Sequence, residues 1–308
     1  MKITVIGAGA MGCVYGGLLA EAGHDVVFVD VWKEHVQAIN DKGLYISGVS
    51  GDRIIPARAT ETVEYLPCQD LILIMVKSAF TADAAGAARR IAGPHSIILT
   101  LQNGLGNAEI IASIVGEKSV VGGTTSHGAY VLGPGTIRHA GGGHTQFAEY
   151  TGGLTPRVEN LAKAFTEAGL PATALSSTDG PVWSKLLVNV GINALATILR
   201  VKNGALAAHP AARKLLVKAV EEGSEVAAAK GIRLVYDDPV GHCIAVAEET
   251  GDNICSMLQD AMARRKTEID VMNGAIMREG EKLGIPTPVN SMLVQLIKAG
   301  ESLYQEQV

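Results

Sequence analysis

Lys185, Asn189 and Asn193 stand at i, i+4 and i+8 in the segment VWSKLLVNVGIN, residues 182–193. In a helix, about 100° per residue carries all three side chains to one side. The rest of the segment is apolar, so the row faces a cleft or a core. A cation and two amides are expensive to bury without partners. The row therefore either stabilises helix contacts or does chemistry. Carbonyl reduction needs such a row. Hydride arriving at the carbon leaves negative charge on oxygen, which an ammonium can stabilise and protonate. Amides can hold hydroxyl or carboxylate groups without adding charge. A second segment, NICSMLQD at 253–260 followed by RRKTEID at 264–270, reads on its own as a capped helix and a solvated charge patch. Ser256 has Gln259 three positions later, a capping-box pattern with Ser256 as the cap.

Gly7-Ala8-Gly9-Ala10-Met11-Gly12 is G-x-G-x-x-G. It follows the apolar run KITVI and opens a helical stretch. Asp30 ends the next apolar run about 20 residues on, where the dinucleotide fingerprint has its acid. Gly7 permits the tight turn, and Gly9 lets the backbone approach a pyrophosphate at the helix N-terminus. Gly12 lets helix and strand pack closely. Asp30 can accept from a ribose hydroxyl, as NAD offers, and would repel the 2′-phosphate of NADP. Two unit charges about 4 Å apart, at an effective dielectric of about 20, interact by roughly 4 kcal/mol. Asp30 thus favours NAD, with Lys33 close enough in sequence to oppose it.

These residues need a scaffold. Residues 2–6, 25–30, 71–76 and 96–101 are short apolar runs. Those without alternation are buried on both faces, as in parallel sheets covered by helices. Helical stretches at 10–22 and 79–91 lie between them, which predicts a Rossmann-type, doubly wound α/β domain. The Gly-, Thr- and His-rich stretch 122–150, with its Gly133-Pro134-Gly135 turn, is expected to form short antiparallel strands closing the sheet edge. A helix at 155–168, capped by Thr155, and a last strand at 170–174 complete the domain. His127, His139 and His144 read as structural, with Lys185 as the candidate acid. From about residue 180 strand signals fade. Helices at 181–199, 210–230, 239–249, 256–262 and 289–305 make an all-helical C-terminal domain. The expected division is 1–177 for the dinucleotide and 178–308 for the substrate.

Composition excludes several classes. The 308 residues are 47% hydrophobic and 19% charged, enough to bury two cores. A net charge of −5, with basic residues in short groups such as Arg264-Arg265-Lys266, argues against nucleic-acid binding. Cys13, Cys68, Cys243 and Cys255 form no C-x-x-C pair and no zinc spacing. No metal is expected, and a reducing compartment fits. The uncharged stretch 3–20 holds five glycines, too many for a secretory hydrophobic region. Residues 186–199 are too few to span a bilayer. A cytoplasmic protein without membrane attachment is expected.

Taken together, KITVIGAGAMG, LQNGLGN at 101–107, VWSKLLVNVGINAL at 182–195 and NICSMLQDAMARRKTEID at 253–270 resemble the ketopantoate reductase (2-dehydropantoate 2-reductase) family over nearly the whole chain. The resemblance implies NAD(P)H-dependent reduction of a branched 2-keto acid to the (R)-hydroxy acid, within pantothenate biosynthesis. It implies Lys185 as general acid and Glu268 as the carboxylate that orients substrate and cofactor. Asn189, Asn193, Asn203 and Ser256 match substrate contacts. Asn103 matches a residue touching both substrate and cofactor. Lys77 and the backbone of Ala129 match cofactor contacts, beside the loop of Gly7, Ala8, Gly9, Ala10, Met11 and Gly12. NADPH-using members often carry a basic residue just after the second strand, where this chain has Asp30-Val31-Trp32. Family likeness therefore favours NADP and Asp30 favours NAD. The alternatives are an NAD-dependent D-2-hydroxyacid dehydrogenase acting on another branched 2-keto acid, and a catalytically silent NAD(P)-sensing protein. β-Hydroxyacid and glycerol-phosphate dehydrogenases share the Lys-x-x-x-Asn pair but not the QNG and SMLQD…TEID segments. The long C-terminal helices could pair two subunits into a homodimer.

Overall fold

The computed structural model describes residues 1–306, which fall into two compact units: 1–102 with 107–178, and 103–106 with 179 onward.

The first unit runs β1 (Lys2–Ile6), α1 (Ala10–Glu21), β2 (Asp25–Val29), α2 (Lys33–Lys42), β3 (Leu44–Gly48), β4 (Arg53–Ile55), β5 (Arg58–Thr60), β6 (Gln69–Ile74), α3 (Thr81–Ile91), β7 (Ala92–Thr100), α4 (Asn107–Val115), β8 (Val120–Thr125), β9 (Gly128–Gly133), β10 (Thr136–Gly141), β11 (Thr145–Glu149), α5 (Pro156–Glu167) and β12 (Ala172–Ala174). The main sheet has the order β12-β11-β8-β7-β6-β1-β2-β5. It is parallel from β5 to β8, with β11 antiparallel to β8 and β12 running alongside β11. Its apolar runs serve two faces. Ile3, Val5, Leu71, Leu73 and Leu99 bury against α1 and α5, while Ile6, Ile72, Ile74 and Ile98 bury against α3 and α4. That is why these strands show no polar alternation.

The stretch 122–150 corrects the sequence-based expectation. β8 and β11 do extend the main sheet, but β9 and β10 leave it for a second sheet, β4-β3-β10-β9. β10 pairs parallel with β3, Ile137 opposite Ile46. The Gly133–Gly135 turn sets this pairing, with Gly135 O accepting from Tyr45 N at 2.8 Å and Gly135 N donating to His35 Nδ1 at 3.0 Å. α1 lies between the two sheets and is buried without interruption from Gly12 to Leu19. A Cβ on Gly16 would run into the Phe28 ring of the main sheet, and one on Gly17 would lie 2.8 Å from Ile46 of the small sheet. Side chains at both positions would hold the layers apart.

The second unit is helical: α6 (Asp179–Leu199), α7 (Asn203–Ala208), α8 (Pro210–Ala229), α9 (Pro239–Glu249), α10 (Ser256–Met262), α11 (Asn273–Leu283) and α12 (Pro288–Ser302). α6 has 21 residues and is long and apolar enough to cross a membrane, but most of it is buried among α8, α9, α10 and α12. Ser256 is not the cap of α10. Cys255 is extended and its Sγ accepts from Leu258 N at 3.5 Å, leaving Ser256 as the first helical residue. Gln259 instead donates its amide to Ile254 O.

One buried polar network locks α12 behind α6. Thr287 precedes α12 without a side-chain cap bond. Glu222 of α8 supplies it from outside, accepting from Val289 N at 2.8 Å and Asn290 N at 2.9 Å. Asn290, fully buried, donates to Glu222 at 2.8 Å and Ala219 O at 3.0 Å, and accepts from Asn273 at 2.9 Å. Asn273 also donates to Val190 O of α6 at 3.1 Å. Asn290→Leu removes the side-chain bonds to Asn273, Ala219 O and Glu222, leaving buried groups short of a partner, and should lower stability by about 3 kcal/mol. Urea unfolding followed by tryptophan fluorescence measures the loss.

Candidate active site

The glycine loop follows from β1 ending at Ile6. Gly7 has φ +98°, and a Cβ there would lie 2.8 Å from the Met75 and Val76 backbone. Only glycine fits. A Cβ on Gly12 would strike the carbonyl of Gly7, whereas at Gly9, the cap of α1, the space is open. The result is a concave turn over the first amide groups of α1, Ala10, Met11 and Gly12. Such a turn suits a pyrophosphate, so the cradle fits a dinucleotide.

Asp30 braces this loop. Its Oδ2 accepts from Ala8 N at 2.8 Å and its Oδ1 from Trp32 N at 2.9 Å. A carboxylate offers about four acceptor sites, so capacity remains for a ribose hydroxyl. Lys33 is turned to Glu61 at 3.8 Å on the surface. Beneath the loop, Cys13 Sγ donates to Ala8 O at 3.1 Å and lies 3.5 Å from His35 Nε2. Because His35 Nδ1 accepts a backbone N–H, its proton sits on Nε2, and burial favours this neutral form.

Lys77 opens a short 3-10 turn after β6, with its carbonyl accepting from Phe80 N at 2.9 Å. Gln102 pins that turn, donating to Val76 O at 2.8 Å and Thr81 Oγ1 at 2.9 Å. Thr81 donates on to Asn107 at 2.8 Å. Sequence reasoning passed over Gln102, although it adjoins Asn103 in the QNG motif. Ala129 lies on β9, half-buried against the core around α1. His127 Nδ1 and His139 Nε2 are 3.0 Å apart. Burial, with the neighbouring imidazoles, pushes His127 down to about 4. It is neutral at pH 7, a packing group rather than an acid.

In the helical unit, Lys185 Nζ donates to Asn103 Oδ1 at 2.8 Å. The loop carrying Asn103 is clasped by the segment after Glu268. Leu105 N donates to Val271 O at 2.9 Å, and Gly104, at φ +81°, packs so closely on that carbonyl that no side chain fits. Glu268 is 8% exposed and near enough for its charge to act on Lys185. The segment is held from below by Thr267, which donates from N and Oγ1 to Glu301 at 2.7 and 2.6 Å. Burial pushes the Lys185 ammonium down to about 8, with the Glu268 charge resisting the shift. Asn189 is half-buried one turn on. Asn193 is buried and donates to Met272 Sδ at 3.4 Å, while its carbonyl accepts from Thr197 at 2.7 Å. Asn203 is buried at the start of α7, and Ser256 is exposed. Lys185, Asn103 and Glu268 thus share one neighbourhood, and Asn193 joins it through Met272.

Residues 3–152 match the family model of ketopantoate reductase PanE/ApbA, and residues 179–301 match that of its C-terminal domain. The chain belongs to the ketopantoate reductase family. It is 37% identical to a 2-dehydropantoate 2-reductase from Halobacterium salinarum, covering 98% of this chain and 99% of that one. It is equally identical to one from Pyrococcus horikoshii, over 98% of each. A PanE/ApbA family ketopantoate reductase from Ralstonia eutropha JMP134 superposes with a TM-score of 0.91 at 34% identity, over 99% of this chain and 100% of that one. D-mandelate dehydrogenase solved with NADH and anilino(oxo)acetate superposes with a TM-score of 0.92 at 31% identity, over the same shares. The chain is accordingly an oxidoreductase with an NAD(P)-binding fold.

A proton donor must hold its proton. If Lys185 is the acid, kcat/KM for keto-acid reduction is level below its pKa of about 8 and falls about tenfold per pH unit above it. A pH–rate profile checks this, and a level rate up to pH 10 would remove Lys185 from the role.

Proposed function

We propose that this protein reduces the keto group of 2-dehydropantoate to give (R)-pantoate, using NAD(P)H. The observation that carries the reading is the Lys185 ammonium held by Asn103 beside the buried carboxylate of Glu268. A dinucleotide bound at Gly7, Ala8, Gly9, Ala10, Met11 and Gly12, with Asp30, Lys77, Asn103, Ala129 and Glu268 as further contacts, supplies the hydride. Lys185 acts on the other atom of the carbonyl. Its Nζ–H donates to the keto oxygen, stabilises the charge that develops there, and transfers the proton to form the hydroxyl. The neutral amine then regains a proton from solvent. Asn103 fixes Nζ, so little reorganisation is needed. Glu268 keeps the ammonium charged in a desolvated site. Asn189, Asn193, Asn203 and Ser256 hold the substrate. Lys185→Ala should lower kcat by about 10²- to 10⁴-fold with cofactor affinity retained, measured by steady-state rates and by fluorescence titration of the reduced cofactor.

A second reading is an NAD-dependent D-2-hydroxyacid dehydrogenase. Asp30, with no cation at Val31 or Trp32, favours it, as does the likeness to D-mandelate dehydrogenase. Absorbance at 340 nm, with 2-dehydropantoate or phenylglyoxylate and either NADH or NADPH, separates the readings. Oxidation with 2-dehydropantoate, faster with NADH, is expected. Turnover of phenylglyoxylate alone would replace the first reading with the second. Asp30→Asn keeps an acceptor for the loop and removes the charge, so it should cut the NADH preference by about tenfold or more.

A further inference from the structure

The chain leaves the first unit at Gln102, passes residues 103–106 to the second, and returns at Asn107. One hydroxyl joins the two feet of this loop. Thr81, the first residue of α3 and fully buried, accepts from Gln102 Nε2 at 2.9 Å and donates to Asn107 Oδ1 at 2.8 Å. Its one proton is committed, so the direction of the bridge is fixed. Asn107 opens α4 and is 4% exposed. Its Nδ2 donates on to Ser78 Oγ at 3.3 Å. At the other foot, Gln102 Oε1 accepts from Thr100 at 2.8 Å. Between the feet the loop is tight. Gly104 and Gly106 are both left-handed, at φ +81° and +97°. Asn103, one residue past the first foot, carries the oxygen that meets Lys185 Nζ at 2.8 Å. Holding both ends of so short a loop removes much of its freedom before any bond along it forms.

We propose that Thr81 is a positioning residue for the reduction: by joining Gln102 to Asn107 it fixes the 103–106 loop so that Asn103 Oδ1 stays on the Lys185 ammonium. This rests on the reading of Lys185 as the proton donor. Thr81 acts through Asn103. The Asn103 oxygen stabilises the charged form of Lys185, alongside the charge of Glu268. A loop with a loose foot lets that oxygen drift from Nζ. Burial then acts on the ammonium with less opposition, and the proton is lost at a lower pH. The donor is also less well aligned on the keto oxygen, which slows the chemical step. A purely structural role for Thr81 has a different signature. Lost packing lowers the rate or the stability at every pH and leaves the titration of Lys185 where it was.

The test is the pH dependence of kcat/KM for 2-dehydropantoate in wild-type enzyme and in Thr81→Val. The variant keeps the shape and removes both bonds of the bridge, while Gln102 still donates to Val76 O and accepts from Thr100. It should lose about tenfold in kcat/KM at neutral pH, and its rate should begin to fall at least about half a pH unit lower than in wild-type enzyme. Thr81→Ser, which can make both bonds, should restore both. Asn107→Ala breaks the bridge at its other foot and should shift the fall the same way. If the variants lose rate equally at every pH, or lose only cofactor affinity, Thr81 is merely structural and the proposal is overturned. Hydrogen exchange on wild-type enzyme needs no variant to fold. The Leu105 N–H should be protected in the enzyme alone, and free exchange until ligands bind would overturn the proposal. If the wild-type rate stays level up to pH 10, the reading of Lys185 falls and the proposal with it. A wild-type fall near its pKa of about 8, unmoved in the variants, overturns the proposal alone.

Discussion

A desolvated ammonium governs the design of the helical unit. Lys185 sits on a helix that is otherwise the core of that unit, and an isolated buried cation would lose its proton. Two features keep it useful. The Asn103 carbonyl oxygen solvates Nζ at 2.8 Å, and the Glu268 charge holds the pKa at about 8 instead of lower. The balance has a chemical consequence. An amine near 8 is mostly protonated at neutral pH yet gives its proton up far more readily than a surface lysine. The clasp between 103–105 and Val271 follows from the same need. Asn103 and Glu268 come from distant parts of the chain, and a direct backbone bond, Leu105 N to Val271 O at 2.9 Å, ties their segments together. Gly104 is where that approach becomes closest.

The first unit depends on a different constraint, close approach. α1 is covered on two sides by sheets, so its sequence is small where strands press on it. The glycine loop, the start of α1 and the turn of the β9–β10 hairpin are also joined through side chains. Asp30 holds Ala8 N, Cys13 returns to Ala8 O, and His35 reaches from Cys13 to Gly135 N. The loop that suits a pyrophosphate is therefore rigid before any ligand arrives, which lowers the ordering cost of binding.

These two constraints explain what could be read from residues alone. β1, α9 and α10 match expectation to the residue, because apolar runs, Pro239 and the 253–262 pattern are local signals. The Lys185 row was legible because helical spacing is local too. The second sheet was not legible. β3 and β4 are short, and β3 finds its partner β10 some ninety residues away, a separation over which a parallel pairing leaves no local sign in the sequence. The cap at Cys255 was missed because thiols rarely cap helices, and the neighbouring serine offered the stronger pattern. Gln102 was missed for a similar reason. Its role lies in Val76 O and Thr81, more than twenty residues back in the chain, and an amide's partners cannot be read from spacing.

In the proposed cofactor reading, Asp30 couples selectivity to architecture. As a charge it opposes a 2′-phosphate. As an acceptor it satisfies Ala8 N and Trp32 N, two backbone donors at the rim of the glycine loop. Removing the side chain would therefore change two things together: the electrostatic preference and the shape of the cradle. A substitution to alanine would leave donors without partners and weaken binding of either dinucleotide. Asparagine, a neutral group of the same shape, removes the charge and keeps one of the two acceptors, so it spares one of these two backbone contacts. The carboxylate proposed to discriminate between cofactors is thus also the group that builds the turn, through Ala8 N and Trp32 N.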